Sequence, residues 1–475
     1  MSYLDQTLRV LPEAILSVFG TLVMVLSPLV KRPRTLGYLA LAGLVLALGG
    51  AVWLANHQGP AFGGQILSDG FSVFFRALFI LIAIAVVCGS FDYLERDGLE
   101  SGEYYALVLL SVVGQGLMAA AAELVLLFIA LEISSLATYV LAGYRRGDPR
   151  SAEAALKYFL LGSFATAFLL YGIALVYGAT GSTQLPEIRA ALSRGAPALV
   201  GVATALMFVG LAFKISSAPF QIWAPDVYQG APAPVTALLS AGPKAAAFAV
   251  FLRVFITGLS PDGGYFWLLW FSAALSMFVG NLAALVQGNI KRMLAYSSVA
   301  HAGYVLVAFS ARSESGVAAA LFYLCAYAVM NVGAFMVVAH FANTGEKYVD
   351  IADYCGLGRK HPALAACLTV FLLSLIGMPL TGGFFGKFYI VTAAVHARLT
   401  GLAVLAVINS AIAAYYYLRV IVAMYMEEGA DDVPVLRLPA AAALVLLATV
   451  AGTFYLGVFP SQILDWATRS AASFR

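Results

Sequence analysis

Residues 213–235 read FKISSAPFQIWAPDVYQGAPAPV, from Phe213 to Val235. An apolar run ends on Lys214, Pro219 follows, and Trp223, Pro225 and Asp226 come next. A lysine inside an apolar helix is costly in lipid. A proline removes a backbone donor and breaks the helix that carries it. Irregular backbone at membrane depth persists only inside protein or beside a wet cavity. The stretch therefore reads as an interrupted membrane helix built around a buried cation, and the rest of the chain is read outward from it.

Around it, 62% of the 475 residues are hydrophobic and 11% are charged, against about 25% charged in soluble domains. Mean hydropathy is +0.91. These values describe a polytopic membrane protein. A net charge of +3 is too small to point to nucleic acid. Cys88, Cys325, Cys355 and Cys367 stand apart, without the spacing of a zinc or iron–sulfur site; they read as small apolar residues. No GxxxxGK[ST] loop is present, and Gly356-Leu357-Gly358 lacks the third glycine of a dinucleotide loop. The first apolar run, Leu8 to Val30, lacks the basic n-region and cleavage site of a signal peptide and reads as a retained helix.

Hydropathy and length predict an all-α protein of about fourteen transmembrane helices. The expected spans are 8–30, 36–56, 71–94, 103–122, 123–144, 151–180, 195–223, 233–258, 264–286, 290–311, 315–342, 362–398, 401–426 and 436–458. The twelfth contains Gly377-Met378-Pro379 and Thr381-Gly382-Gly383 and is expected to break. Lys31, Arg32, Arg34, Arg96, Arg145, Arg146, Arg150, Lys291, Arg292, Lys347, Arg359, Lys360 and Arg437 fall on one side. Arg9, Arg189, Arg194, Arg312, Arg398, Arg469 and Arg475 fall on the other. The richer side should face the cytoplasm, which puts both termini outside.

The seventh span carries Lys214 and Pro219, and the twelfth carries Pro379 and Lys387. They lie five spans apart, and an odd offset reverses direction. Spans 4–8 and 9–13 therefore read as inverted repeats, each with a broken helix, the arrangement that marks a transport site. The expected division is 1–102 for an N-terminal three-helix segment, 103–258 and 264–426 for the repeats, and 427–475 for a C-terminal helix.

Charges also recur at a common depth. At about 1.5 Å per residue, Glu132 lies about 13 Å from its rim, Lys244 about 16 Å, His301 about 15 Å and Lys387 about 13 Å. Lys157 is shallower. Structural pairing alone would match the signs, and here cations outnumber anions. Burial and neighbouring carboxylates move a lysine pKa readily, whereas arginine stays charged. The set reads as a proton relay. Arg76, Arg253 and Arg419 are read as snorkelling to a rim. Tyr415-Tyr416-Tyr417, Tyr104-Tyr105 and Trp466 are read as interfacial belts. Asp92, Glu95, Asp97, Glu100 and Glu103, and then Glu427, Glu428, Asp431 and Asp432, are read as solvated acidic loops.

The run from Lys214 to Val235 resembles the antiporter-like membrane subunits of respiratory complex I, the proton-pumping NADH:quinone oxidoreductase. LFIALEISSL around Glu132, SAEAALKY around Lys157, AGPKAAAF around Lys244, NIKRMLAYSSVAHAGY around His301 and GMPLTGGFFGKFYI around Lys387 carry the same resemblance. Within that group the wording is nearest the N type. The resemblance implies that Glu132 pairs with Lys214 and sets its charge. It makes Lys244 the central relay, His301 the bridge, Lys387 the exit lysine, and Lys157 and Glu153 accessory. It also implies that NADH, FMN, the iron–sulfur clusters and quinone belong to partner subunits and that this chain holds no cofactor. The implied partners are a neighbouring antiporter-like subunit, the small membrane-arm subunits, the long lateral helix of the L subunit and lipid. The setting implied is a bacterial inner membrane. Gln221 departs from the histidine common in relatives, so any shuttle role there passes to water or another group. A stand-alone or Mrp-type cation/proton antiporter, and a scaffold that moves no protons, are the competing readings.

Overall fold

The computed structural model describes residues 3–195, 198–259, 265–429 and 438–472. Asp431, Asp432, Arg437 and Arg475 lie outside the described residues. Among the described residues, 11 helices are long and apolar enough to cross a membrane. Three shorter apolar helices, Leu11–Leu26, Ala198–Lys214 and Pro362–Ile376, begin the remaining expected spans. The helices are apolar on every side, as buried membrane helices are. Three of them form the interior: Ala233–Ile256, Ile290–Ser310 and Glu314–Phe341 are 94%, 94% and 89% buried, against 39% for the peripheral Pro149–Thr180.

Helix boundaries follow local chemistry. Asp69 and Ser72 form a capping box at the start of Gly70–Arg96, which satisfies backbone donors that a helix start leaves orphaned. Glu123 caps Leu124–Ala142 by accepting from the amides of Val125 and Leu126. Asn289 caps Ile290–Ser310 in the same way, through Lys291 and Arg292.

These two caps belong to a repeated device. Glu123 bridges Gln184, and Asn289 bridges Asp350, across isolated antiparallel β-bridges. Gly114 packs on Ser134 N and Ala130 O, and Gly280 packs on Ala300 N and Tyr296 O. One sequence interval separates the members of each matched pair: Glu123 from Asn289, Gln184 from Asp350, Gly114 from Gly280, Ser134 from Ala300. The seam between Gly102–Ala120 and Leu124–Ala142 is thus rebuilt between Phe266–Leu285 and Ile290–Ser310.

Both expected breaks are present. The helix of the seventh span ends at Lys214, and a second short helix, Ala224–Gly230, follows just beyond the expected limit of 223. Between them, Ser216 has φ 58° and the Ala218–Pro219 peptide is cis. The freed backbone is satisfied by the Phe266–Leu285 helix: Ala218 N donates to Ser276 Oγ at 2.8 Å, and Ser272 Oγ donates to Ala218 O at 3.0 Å. Trp223 Nε1 donates to Phe213 O at 2.8 Å. The twelfth span breaks between Pro362–Ile376 and Gly382–His396, with Gly377 at φ 97° and Leu380 at φ 69°.

Small elements outside the expected spans include the helix Leu185–Leu192 and two others. A hairpin pairs Gly59–Ala61 with Ile66–Ser68, and a helix, Pro460–Ala471, follows the last span. Several polar readings are corrected. Arg76 does not snorkel. It is 1% exposed, with Nε 2.6 Å from Glu13 Oε1 and Nη2 3.2 Å from Glu13 Oε2. Arg253 is likewise buried and donates to Asp69 Oδ1 at 2.7 Å and Ala119 O at 2.8 Å. Arg419 differs from these two: it is half-buried and reaches the end of the Phe266–Leu285 helix, as a snorkelling cation would, donating to Leu285 O at 2.9 Å and Gln287 O at 2.5 Å. A permanently charged fork is kept dry only when a carboxylate or several carbonyls take its donors.

The aromatic belts divide too. Tyr415 is exposed, but Tyr416 and Tyr417 are buried, as are Tyr104 and Tyr105. Trp466 packs edge-on against Phe74 at 4.8 Å. Asp97 is not solvated: it is 3% exposed and lies 2.6 Å from Arg145. The four cysteines are free thiols. That of Cys355 lies 3.1 Å from a Glu427 carboxylate oxygen, and burial with this carboxylate pushes its pKa up to about 11.

Candidate functional site

Buried hydroxyl groups hold most of the charges that the sequence singled out. Lys214 is the last residue of Ala198–Lys214, where a cation is favoured by the helix dipole. Its Nζ donates to Ser135 Oγ at 2.7 Å and Tyr139 OH at 3.1 Å, and it stands 5.6 Å from the Tyr158 ring centroid. Ser135 and Tyr139 follow Glu132 by one and two turns on one helix face. The expected Glu132–Lys214 contact is therefore not formed. Ser135 and Tyr139 take the lysine's donors, and Glu132 Oε1 is buried without a hydrogen bond among the described residues. A cavity of about 10 Å³ lies between Lys214, Ser135, Tyr158 and Pro243, close to the least that one water needs. It joins the Lys214 region to the helix that bears Lys244.

Lys244 lies in Ala233–Leu252, one residue after the in-helix Pro243. It is 3% exposed, and its Nζ donates to Ser298 Oγ at 2.9 Å and Ser298 O at 3.1 Å. Ser298 sits in the matched position of the second seam to Glu132 in the first, and so ties the two halves together. His301, one turn further along, uses both ring nitrogens: Nδ1 with the Tyr323 hydroxyl and Nε2 with Tyr417 OH at 3.2 Å. Tyr417 also bonds Ser297. Direct contact of His301 with either lysine is not among its bonds; tyrosine hydroxyls surround it instead.

Lys387 lies in Gly382–His396, and its ammonium turns back to the end of the broken partner helix. It donates to Leu375 O at 2.9 Å, Ile376 O at 2.8 Å and Ser410 Oγ at 2.8 Å. Its Nζ is 4.9 Å from the Tyr304 ring centroid. A cavity of about 230 Å³ opens beside it, lined in part by Tyr304, Phe384, Phe388 and Ser410.

Lys157 and Glu153 stand elsewhere. Lys157 Nζ is 2.7 Å from Glu153 and 2.6 Å from Asp226, and Asp226 is 2.7 Å from Arg292. This half-exposed cluster clamps Ala224–Gly230 between Pro149–Thr180 and Ile290–Ser310. It is a neighbouring ion network, not a member of the buried row. Gln221 is half-buried, with Oε1 unbonded among the described residues.

A second cluster escaped the sequence reading. Glu346 Oε2 is 2.6 Å from Lys291 Nζ, with side chains 7% and 0% exposed. Its Oε1 accepts from Ala233 N at 2.6 Å and Tyr93 OH at 2.7 Å. Lys291 also donates to Ala231 O at 2.6 Å and Gln229 O at 3.0 Å. Burial acts to raise the Glu346 pKa, but Lys291 and Arg145 outweigh it and hold the carboxyl below its ordinary value. The cluster fixes the link between Ala224–Gly230 and the helix of Lys244. Its partners are far apart in sequence, so only the loop charges themselves were legible.

Known proteins resemble this chain along nearly its whole length. Residues 121–413 match the family described as NADH:quinone oxidoreductase/Mrp antiporter, TM. A protein of Solibacter usitatus named NADH-quinone oxidoreductase subunit N 1 is 56% identical over 479 residues, covering 99% of this chain and 98% of that one. Among solved structures, a chain of respiratory complex I from Thermus thermophilus with bound Aureothin aligns with TM-score 0.82 and 39% identity, covering 96% of this chain and 98% of that chain. A chain of the Mrp complex from Dietzia aligns with TM-score 0.89 at 22% identity, covering 100% and 98% respectively. That last likeness speaks for the fold alone.

Proposed function

The chain belongs to the subunit N family of NADH-quinone oxidoreductase, and on that premise we propose that it moves protons through the buried row Glu132, Lys214, Lys244, His301 and Lys387. The observation that carries this reading is the chemistry of the row: each cation is held by hydroxyl or carbonyl oxygens rather than by a carboxylate. A salt-bridged lysine keeps its proton. A lysine held by neutral oxygens has no carboxylate bound to its ammonium to fix the proton there. Glu132 acts at one remove, through the hydroxyls of Ser135 and Tyr139. Tyr417 and Ser297 extend the row between Lys244 and His301, and Lys157 with Glu153 is accessory.

The matched seams support two repeats, 103–258 and 264–426, in inverted orientation, flanked by 1–102 and 427–475. The interrupted helices lie at corresponding places in them, as in transport proteins of this build. Quinone reduction takes place elsewhere in the complex, and NADH, FMN and the iron–sulfur clusters belong to its partner subunits. Those partners are the neighbouring antiporter-like subunit, the small membrane-arm subunits and the lateral helix of the L subunit. The exposed apolar face of Pro149–Thr180, with Leu156, Leu160 and Phe164, suits lipid or such a partner. The setting is the bacterial inner membrane with both termini outside.

Lys244→Ala in the assembled complex, in inverted membrane vesicles, tests the reading. NADH-driven proton uptake should collapse while assembly is retained. Unchanged protons per NADH would refute the relay. Sodium-dependent transport by the isolated chain, without NADH:quinone activity in its native fraction, would favour the antiporter reading instead.

A further inference from the structure

One span of the buried row is unbridged. Both His301 nitrogens are taken by Tyr323 and Tyr417. All three Lys387 donors are taken by Leu375 O, Ile376 O and Ser410 Oγ. Tyr304 stands between the two sets. It follows His301 by three residues, so both share one helix face, and their rings are 5.7 Å apart. Its ring faces Lys387 Nζ at 4.9 Å.

The Tyr304 hydroxyl lies beside both Asn281 and Ser410 without reaching hydrogen-bond geometry with either, although the residue is only 2% exposed. A buried hydroxyl is costly to leave unmatched, and such a group calls for an explanation. Its two neighbours differ. Asn281 is locked: its Nδ2 donates to Asn409 O at 3.0 Å and Oδ1 at 3.1 Å, and its Oδ1 accepts from Tyr416 OH at 3.1 Å. Ser410 is part of the Lys387 site, accepting from Lys387 Nζ and donating a hydrogen bond to Ile376 O at 3.1 Å. The cavity of about 230 Å³ is mostly apolar, but Tyr304, Lys387 and Ser410 line it together, and it has room for a water beside those three polar groups.

We propose that Tyr304 is the switching hydroxyl between His301 and Lys387. Turned to Ser410, it closes the link. Turned to Asn281, it opens it. One proton arrives on the tyrosine oxygen from the His301 side, by rotation of the imidazole or through one water. Once Lys387 has released a proton towards the exit, the hydroxyl's own proton moves to Ser410 and the Ser410 proton to the neutral amine, so the tyrosine and the serine both end neutral. This rests on the relay reading above and assigns the last hop within it.

Tyr304→Phe keeps the ring and removes only the hydroxyl. It is compared with Ser410→Ala, the double variant and Lys387→Ala, each in the assembled complex in inverted vesicles. Assembly is followed by NADH oxidation with an artificial acceptor, and pumping by proton uptake per NADH in H₂O and D₂O. Tyr304→Phe should lower proton uptake by about tenfold, less than the roughly 10²–10⁴-fold typical of losing a proton-transfer group, because water in the cavity can partly replace the hydroxyl. It should also raise the solvent isotope effect on the residue. The double variant should be no worse than the worse single, as for members of one path. Normal uptake by Tyr304→Phe, while Lys387→Ala abolishes it, overturns this proposal and leaves the relay standing. A loss with an unchanged isotope effect that adds to that of Ser410→Ala means a packing role and also overturns it. Normal pumping by Lys387→Ala removes the relay itself.

Discussion

Replacing Glu346 by glutamine keeps the shape of the side chain and removes its charge. Lys291, 0% exposed, then loses its only carboxylate partner among the described residues. The new amide NH₂ or its oxygen must meet Lys291 on one side and the donors Ala233 N and Tyr93 OH on the other, so one donor faces another. Breaking a buried ion pair costs about 3–5 kcal/mol. Lys291 retains Gln229 O and Ala231 O as acceptors, which places the loss near the lower figure. At about 2 cal/mol/K of unfolding entropy per residue, a chain of this length loses about 1 °C of Tm per kcal/mol. Membrane helices keep their backbone hydrogen bonds when they separate, so their entropy gain is smaller and the shift larger. Glu346→Gln should therefore lower Tm by at least about 3 °C at pH 7 in a detergent melt. Lys291→Met in the same background should recover part of it. The carboxyl lies below its ordinary value when folded. Its contribution is thus fully present above the unfolded carboxyl pKa, about 4.3, and is lost as pH falls through the lower folded value. The gap between wild type and variant should stay constant from pH 8 to pH 6 and close only in acid. Equal melting at pH 7, or a gap already gone at pH 6, would refute the argument.

Two further outcomes follow from packing and from the tyrosines. A Cβ on Gly280 would lie 2.5 Å from Ala300 N, and one on Gly114 would lie 2.5 Å from Ser134 N. Alanine at either should destabilise by about 1–3 kcal/mol and lower the yield of monodisperse protein on size exclusion, whereas Gly49→Ala, with open space around it, should not. Tyr417→Phe, which removes the His301 Nε2 partner, should reduce proton uptake per NADH several-fold, while Tyr415→Phe on the exposed neighbour should leave it at the wild-type level; equal effects would return both to the belt reading.

Spans, breaks and the row of buried charges were legible from sequence because each depends on local facts. Hydropathy over about 20 residues sets a span, and proline and glycine set its interruptions. Depth follows from counting residues at a fixed rise. Which groups meet was not legible, because it depends on how separate helices rotate against one another. Periodicity has no apolar stripe to report in helices that are apolar all round. Lys214 was therefore expected on Glu132 and is found on Ser135 and Tyr139. Tyr416 and Tyr417 looked like a belt, yet helix rotation turns them inward to Asn281 and His301. Arg76 looked like a rim residue until Glu13, 63 positions away, supplied its counter-charge. The sequence by itself determined a membrane bundle with two broken helices and cations at a common depth. Only the tertiary structure decided that hydroxyl and carbonyl oxygens rather than carboxylates hold those cations, since in a dry interior each donor must find an acceptor on another helix.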